Sequence, residues 1–322
     1  MELKYITNSA YQRMPRISHS LLANAKQSQF VAYMNSPFNQ DRELEKKSDA
    51  LAFGSLYHTL IQFPEIVAQC DTYINKFNEL TEKYLVAKAA KKAAEQPVVS
   101  ITTRENTIHI ADFGLSRKNK AYDTIAQLVD AKEDDLIVNA DEFTQACQMI
   151  NCLTSHPVYQ SIHAGSTIVG EELTLLGEID GIDYKVRFDR LLKTENGRYI
   201  CIDWKTTKDF DMSAIRRGGQ KMCYDLQDEL YRRAISMHYG VPMSDVDMVF
   251  IFQCKEYPLL VYAFKFTPAH ERRAKNEREA LAAEFMERFG RGMGMAGFIP
   301  IQTEVLEFSY YENALEEYVP IL

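Results

Sequence analysis

The chain has 322 residues, 46% of them hydrophobic and 25% charged, with a formal net charge of −8 at pH 7. That is apolar material enough for a real core, in one large domain or two modest ones. The acidic balance excludes a protein that coats nucleic acid through bulk positive potential, but not one with a local basic groove beside an acidic metal site.

In chain order, RISHSLLANAKQSQFVAYMN (16–35) predicts a helix opened by Ser18 or Ser20 as cap. The charged stretch NQDRELEKKSD leads to a second apolar helix, ALAFGSLYHTLIQFPE, ended by Pro64. ELTEKYLVAKAAKKAAE (79–95), rich in Ala and Lys, predicts a solvated helix, and DEFTQACQMINCLT (141–154) another, with Asp141 as cap. The pattern then turns to alternation, with strands near 172–178, 183–191 and 199–205. Asp180-Gly181 and Asn196-Gly197 supply the hairpin turns between them. A helix over 220–239 closes on Gly240 and Pro242, and two short strands (246–254, 258–266) and a charged helix (268–289) follow. These elements predict one α/β domain with a mixed sheet.

The chemistry concentrates in YICIDWKTT. Side chains alternate along a strand, so Ile200, Ile202 and Trp204 face one way and Cys201, Asp203 and Lys205 the other. In the preceding strand KVRFDRLL, Arg187 and Asp189 share a face by the same rule. If the strands are neighbours, Asp189 and Asp203 approach each other, and such a pair repels by about 1 kcal/mol in water and roughly 4 at an effective dielectric near 20. Mg²⁺, which takes one or two carboxylates plus water and substrate phosphate, is the natural cation to place between them. Lys205 beside it could orient or help deprotonate an attacking water and hold a phosphate oxygen. A single D-x-K is more often a surface ion pair; D-x(13)-D-x-K across a hairpin is more specific.

Taken together, several separated stretches resemble the PD-(D/E)XK nuclease superfamily, and more narrowly its RecE (exonuclease VIII) type. They are YQRMPRISHSLL, LAFGSLYHTLIQFPE, SHPVYQSI with GEELTL, VRFDRL, CIDWKTT and YDLQDELY, in that order from about residue 5 to 240. The resemblance implies a PD-(D/E)XK (restriction-endonuclease-like) core: a mixed central sheet flanked by helices, with a helical N-terminal part. On that frame 1–322 is a single nuclease domain, with a mainly helical part carrying His58 (1–165), a catalytic core (166–270) and a C-terminal extension (271–322). His58, Asp189 and Asp203 match the family's metal ligands, Lys205 its motif lysine, and Glu172 its upstream glutamate. Glu171 stays open as the alternative, because a one-residue register slip would exchange the two. Gln227 and Tyr231, four apart on a helix, match a Q-x-x-x-Y that contacts substrate or supports the site. Arg187 is a phosphate contact or an ion-pair partner of Asp189. The usual Pro before the first motif aspartate is Phe188 here, which a strand accommodates.

The resemblance implies a Mg²⁺-dependent exonuclease, with Mn²⁺ able to substitute, that digests one strand of linear duplex DNA from its 5′ end. The product would carry 3′ overhangs for a single-strand annealing protein. Double-stranded DNA ends are the implied partner and a homo-oligomer the implied assembly. The alternatives are an endonuclease of the same superfamily and a non-catalytic DNA-end-binding recombination partner. Candidate DNA-track residues are Arg216, Arg217 and Lys221 in RRGGQK, the lysines of 83–92, and ERRAKNERE (271–279). The segment KDFDMSAIRRGGQ is read as a glycine-permissive loop after the catalytic strand.

The six cysteines (Cys70, Cys147, Cys152, Cys201, Cys223 and Cys254) form no CxxC pair and lack the density of a secreted scaffold. None follows Cys254, so no iron–sulphur cluster is expected. MELKYITNSAYQR lacks the apolar core of a signal peptide and no apolar run approaches a membrane span, so a cytoplasmic protein without membrane contact is expected. RFGRGMGMAGFIP and YYENALEEYVPIL suggest no chemistry.

Overall fold

A computed structural model describes residues 1–42, 48–114 and 116–290. The first half carries β1 (Glu2–Tyr5), α1 (Asn8–Arg13), α2 (His19–Gln27), α3 (Gln29–Met34), α4 (Asp49–Gln62), α5 (Pro64–Ala68) and α6 (Cys70–Ala89). Next come β2 (Val98–Thr102), β3 (Thr107–Ala111), α7 (Lys120–Leu128), β4 (Leu136–Val138), α8 (Ala140–Ser155) and α9 (Pro157–His163). The second half carries β5 (Ser166–Ile179), β6 (Ile182–Thr194), β7 (Tyr199–Thr207), α10 (Met212–Lys221), α11 (Tyr224–Tyr239), β8 (Val246–Cys254), β9 (Val261–Phe264) and α12 (Glu271–Phe289).

The main sheet is mixed, in the order β1-β5-β6-β7-β8-β9, and β2-β3-β4 form a second, three-stranded sheet. Tight turns make β5, β6 and β7 antiparallel neighbours. Asp180 and Gly181, with φ of +53° and +80°, supply the two left-handed residues such a hairpin turn demands. From β7 the chain crosses over through α10 and α11, which makes β8 its parallel partner. Both faces of β7 are covered, in keeping with its continuously apolar first half, Tyr199 to Ile202. Tyr199 and Cys201 join a core with α2, α3, α11 and α12, while Ile202 and Trp204 join a second core with α4, α5, α8 and the smaller sheet. Among the described residues no helix is long and apolar enough to cross a membrane.

The mixed α/β architecture expected from the pattern is present, with differences of local cause. The helix expected over 16–35 is two helices, because Ser28 is extended (φ −167°) and serves as end of α2 and cap of α3. The cap of α8 is Asn139 in a capping box with Glu142, not Asp141. The Lys-rich helix begins earlier than expected, at Cys70, and ends at Ala89. Residues 212–221, read as a loop, form α10, since Asp211 accepts from Ser213 and Ala214 N–H and Ile215 anchors the turn. Left-handed Cys223 (φ +54°) then separates α10 from α11. The C-terminal motifs from Arg291 onward, and part of NQDRELEKKSD, lie outside the described residues.

Candidate metal centre

The site forms where two strands part. The β6–β7 ladder runs from Lys193↔Tyr199 to Arg190↔Ile202 and stops; beyond it β6 pairs only with β5, and β7 only with β8. At that fork the backbone groups of Trp204 lack a β6 partner, and buried backbone groups must find one. Asp189 Oδ2 accepts from Trp204 N–H at 2.7 Å, and His58 Nε2 lies 3.1 Å from the Trp204 carbonyl. The unmade ladder bonds therefore aim two side chains into the gap.

Strict alternation also fails there. Glu171 opposes Arg190 and Leu173 opposes Phe188, with Glu172 and Asp189 skipped between them. Glu172 is left-handed (φ +48°), a conformation uncommon for any residue but glycine. Leu173 and Phe188 enter the α11-side core, whereas Glu171 pairs with Arg190, whose guanidinium lies over the Trp204 ring on the opposite face. The same irregularity turns Glu172, not Glu171, toward the fork. Arg187 grips it, donating from Nε to Glu172 Oε2 at 2.6 Å and from Nη1 to the Ile6 carbonyl at 3.0 Å.

His58 reaches the fork from α4. Its Nδ1 lies 3.4 Å from Glu172 Oε1 and 3.5 Å from Asp189 Oδ1. One donor atom from each of His58, Glu172 and Asp189 lies within 4.8 Å of the others. Donation from Nε2 to Trp204 leaves the Nδ1 lone pair of a neutral ring pointing at the two carboxylates, the outer hydrogen bond that orients a metal-ligating histidine. Two carboxylate oxygens and one imidazole nitrogen converging from three elements fit a divalent cation. The protonation pattern expresses the same demand. Burial works against the His58 imidazolium, but Asp189 and Glu172 outweigh it and lift its pKa to about 9. Burial, reinforced by Asp203 and Glu172 and opposed by His58, pushes the Asp189 carboxyl up. Burial acts to raise the Glu172 carboxyl too, but His58 and Arg187 bring it below the usual value.

Asp203 stands outside that triad, a departure from the His58, Asp189, Asp203 ligand set expected from the sequence. It is 3% exposed, accepts from Gln227 Nε2 at 2.6 Å, and has Lys205 Nζ 2.5 Å from its other oxygen. Burial disfavours the charge on Lys205, yet Asp203, with Tyr224 and Asp189, holds its pKa above the ordinary lysine value. A lysine so placed donates, and the proton-accepting alternative for Lys205 is not what these neighbours favour. Gln227 thus braces Asp203, and Tyr231, buried on the same helix, lines the site.

Two cavities, of 740 and 380 Å³, share Asn8, Glu172, Arg187 and Lys205 in their walls. The larger lies toward α4 and Arg104; the smaller lies toward α2 and α11 and includes Asp189, Asp203, Gln227, Tyr231 and Lys221. Arg216 and Arg217 are exposed on α10 and line neither. Arg190, missed in the sequence, ties the centre down: it donates to Glu171, to the Tyr159 hydroxyl and to the Ile61 carbonyl of α4. Its spacing carried no signal, because only the broken alternation buries it.

A family model described as "PDDEXK-like domain of unknown function (DUF3799)" matches residues 18–286. A solved structure named "Putative exonuclease", from Eubacterium rectale, is similar with a TM-score of 0.50 at 12% identity, over 88% of this chain and 86% of that one; a likeness at that identity shows the fold. A second, SSO0001, reaches a TM-score of 0.23 at 15% identity over 44% of this chain and 68% of that one, and carries no argument. No curated protein matches the sequence.

Proposed function

The chain belongs to the PDDEXK-like family of unknown function (DUF3799), within the PD-(D/E)XK superfamily, and on that premise we propose that it is a Mg²⁺-dependent deoxyribonuclease of the RecE type. The observation that carries the reading is the convergence of His58, Glu172 and Asp189 beside the Asp203–Lys205 pair, at the mouth of two cavities. The ordered motif set supports the finer assignment: hydrolysis of one strand of linear duplex DNA from the 5′ end, leaving 3′ overhangs. The same resemblance supports a homo-oligomer, a single-strand annealing partner and a cytoplasmic setting.

A divalent ion held by His58 Nδ1, Glu172 and Asp189 would polarise the phosphate and make water a stronger nucleophile at neutral pH. The chain's own groups do the rest. Lys205 stays protonated and donates a hydrogen bond to a phosphoryl oxygen, where charge grows in the transition state. Asp203 fixes the lysine, Gln227 fixes Asp203, and Arg187 holds Glu172 in its left-handed turn. Trp204's amide and carbonyl hold Asp189 and His58 in place. Preorganisation of this kind removes reorganisation from the barrier.

The test is end-labelled linear duplex, nicked circles and closed circles, each with Mg²⁺, Mn²⁺ or chelator. The reading expects metal-dependent loss of linear duplex from the 5′ end and intact closed circles. Cutting of closed circles would make the protein an endonuclease of the same superfamily, and binding to ends without cutting in any metal would make it a non-catalytic end-binding partner.

A further inference from the structure

On the wall of the larger cavity is a stack that the proposed hydrolysis does not use. The Arg104 guanidinium lies over two rings, 5.3 Å from the Tyr5 centroid and 5.4 Å from that of Phe63. Phe63 is buried. Tyr5 is 59% exposed and lines the cavity, so it keeps surface for another planar group after Arg104 has taken one side. A lone exposed aromatic needs no explanation. This one stands beside a guanidinium on the wall of a cavity, with most of its surface left uncovered by the described residues.

Its position is tied to the metal centre. Tyr5 opposes Leu173 in the β1–β5 ladder, one residue from Glu172. The next residue, Ile6, gives its carbonyl to Arg187, the same guanidinium that grips Glu172. Ring and centre are therefore held by one strand pair and one arginine. Lys208 and Lys255 add positive charge to the same wall, while Asp134 has both carboxylate oxygens engaged by Ser9. Flat apolar surface, a stacked cation and nearby lysines are the elements that bind single-stranded nucleic acid: bases stack, phosphates are neutralised.

Resting on the nuclease reading, we infer that Tyr5 and Arg104 form a stacking platform for an unpaired nucleobase of the DNA strand passing the metal centre. Every base has a π face, so the platform is indifferent to sequence. It requires the strand being cut to be separated from its complement within the larger cavity.

The test uses the full chain in Ca²⁺ with oligonucleotides carrying 2-aminopurine at successive positions from the 5′ end, because stacking quenches this base. One quenched position is expected with the unaltered protein, lost in Tyr5→Leu and kept in Tyr5→Phe. On linear duplex in Mg²⁺, Tyr5→Leu is expected to raise KM about tenfold, the scale of one lost base stack. Arg104→Gln leaves β1 untouched and is expected to weaken the same quenching, which keeps the test valid if Tyr5→Leu does not fold. DNA cutting with the same quenching profile in all variants would overturn the platform and leave the nuclease intact. Absence of cutting in any metal would overturn the nuclease reading, and the platform with it.

Discussion

Between α11 and α12, Arg278 is fully buried with its charge met on every side, whereas at the β6–β7 fork two carboxylates keep company that only partly satisfies them. Arg278 donates to Glu229 Oε2 at 2.8 Å, to the Tyr184 hydroxyl at 3.0 Å and to Asp180 at 3.3 Å. Glu229 spends its other oxygen on Arg233. At the fork, Asp189 Oδ1 and Glu172 Oε1 face the same His58 nitrogen, at 3.5 and 3.4 Å. Saturation makes the first region a fastening for α12. Convergence without saturation makes the second a candidate receptor for a cation, because oxygens that have not found a donor are available to one.

If the contrast is right, the two regions fail differently. The largest effect belongs to the fastening: Glu229→Ala strands a buried guanidinium and should cost about 3–5 kcal/mol in urea unfolding. Any folded fraction should retain its Mg²⁺ affinity, and a loss under 1 kcal/mol would erase the distinction. At the fork the outcome should reverse. Asp189→Asn is expected to lower DNA hydrolysis by about a hundredfold to a thousandfold while the melting temperature holds or rises. Asp203→Ala should likewise abolish cutting and spare duplex binding in Ca²⁺; full activity in either variant would break the account.

A third expectation concerns pH. Metal-free His58 holds a proton up to about pH 9, and a metal ligand must be unprotonated, so Mg²⁺ has to displace that proton. Apparent affinity should climb by up to roughly tenfold per pH unit toward 9 and then level off. Calorimetry in buffers of different ionisation enthalpy should report proton release at pH 7, and His58→Gln should bind weakly with little pH dependence. The sign for folding is the opposite. His58's pKa is raised above its unfolded value, so its contribution to metal-free stability is full below about pH 6.5 and is lost as pH rises through about 9. The smallest effect is remote from both regions: Asn139→Ala removes the cap of α8 and should cost about 1 kcal/mol with activity unchanged.

The hairpin that builds the fork was legible because its turn residues and its apolar alternation say the same thing. Asp189, Asp203 and Lys205 could be placed near one another on that basis, and His58 through the resemblance. The resemblance matched Glu172, but alternation alone could not choose the glutamate that enters. Alternation cannot choose between Glu171 and Glu172 when the strand carries a left-handed residue, and nothing in GEELTL announces one. The exchange of Asp203 for Glu172 in the triad has a similar source: Gln227 and Lys205 claim Asp203, and their reach depends on how α11 packs. The sheet of β2, β3 and β4 went unread because two five-residue strands and one of three give too short a period to notice. In α10 two glycines argued for a loop, and the Asp211 cap and Ile215 prevailed.

The central claim is tested most directly by diffraction from crystals soaked in Mn²⁺, using its anomalous signal. A peak about 2.0–2.3 Å from His58 Nδ1 and from oxygens of Glu172 and Asp189 is the predicted result. A well-bound ion elsewhere, with the fork still closed on the His58 proton, would contradict it.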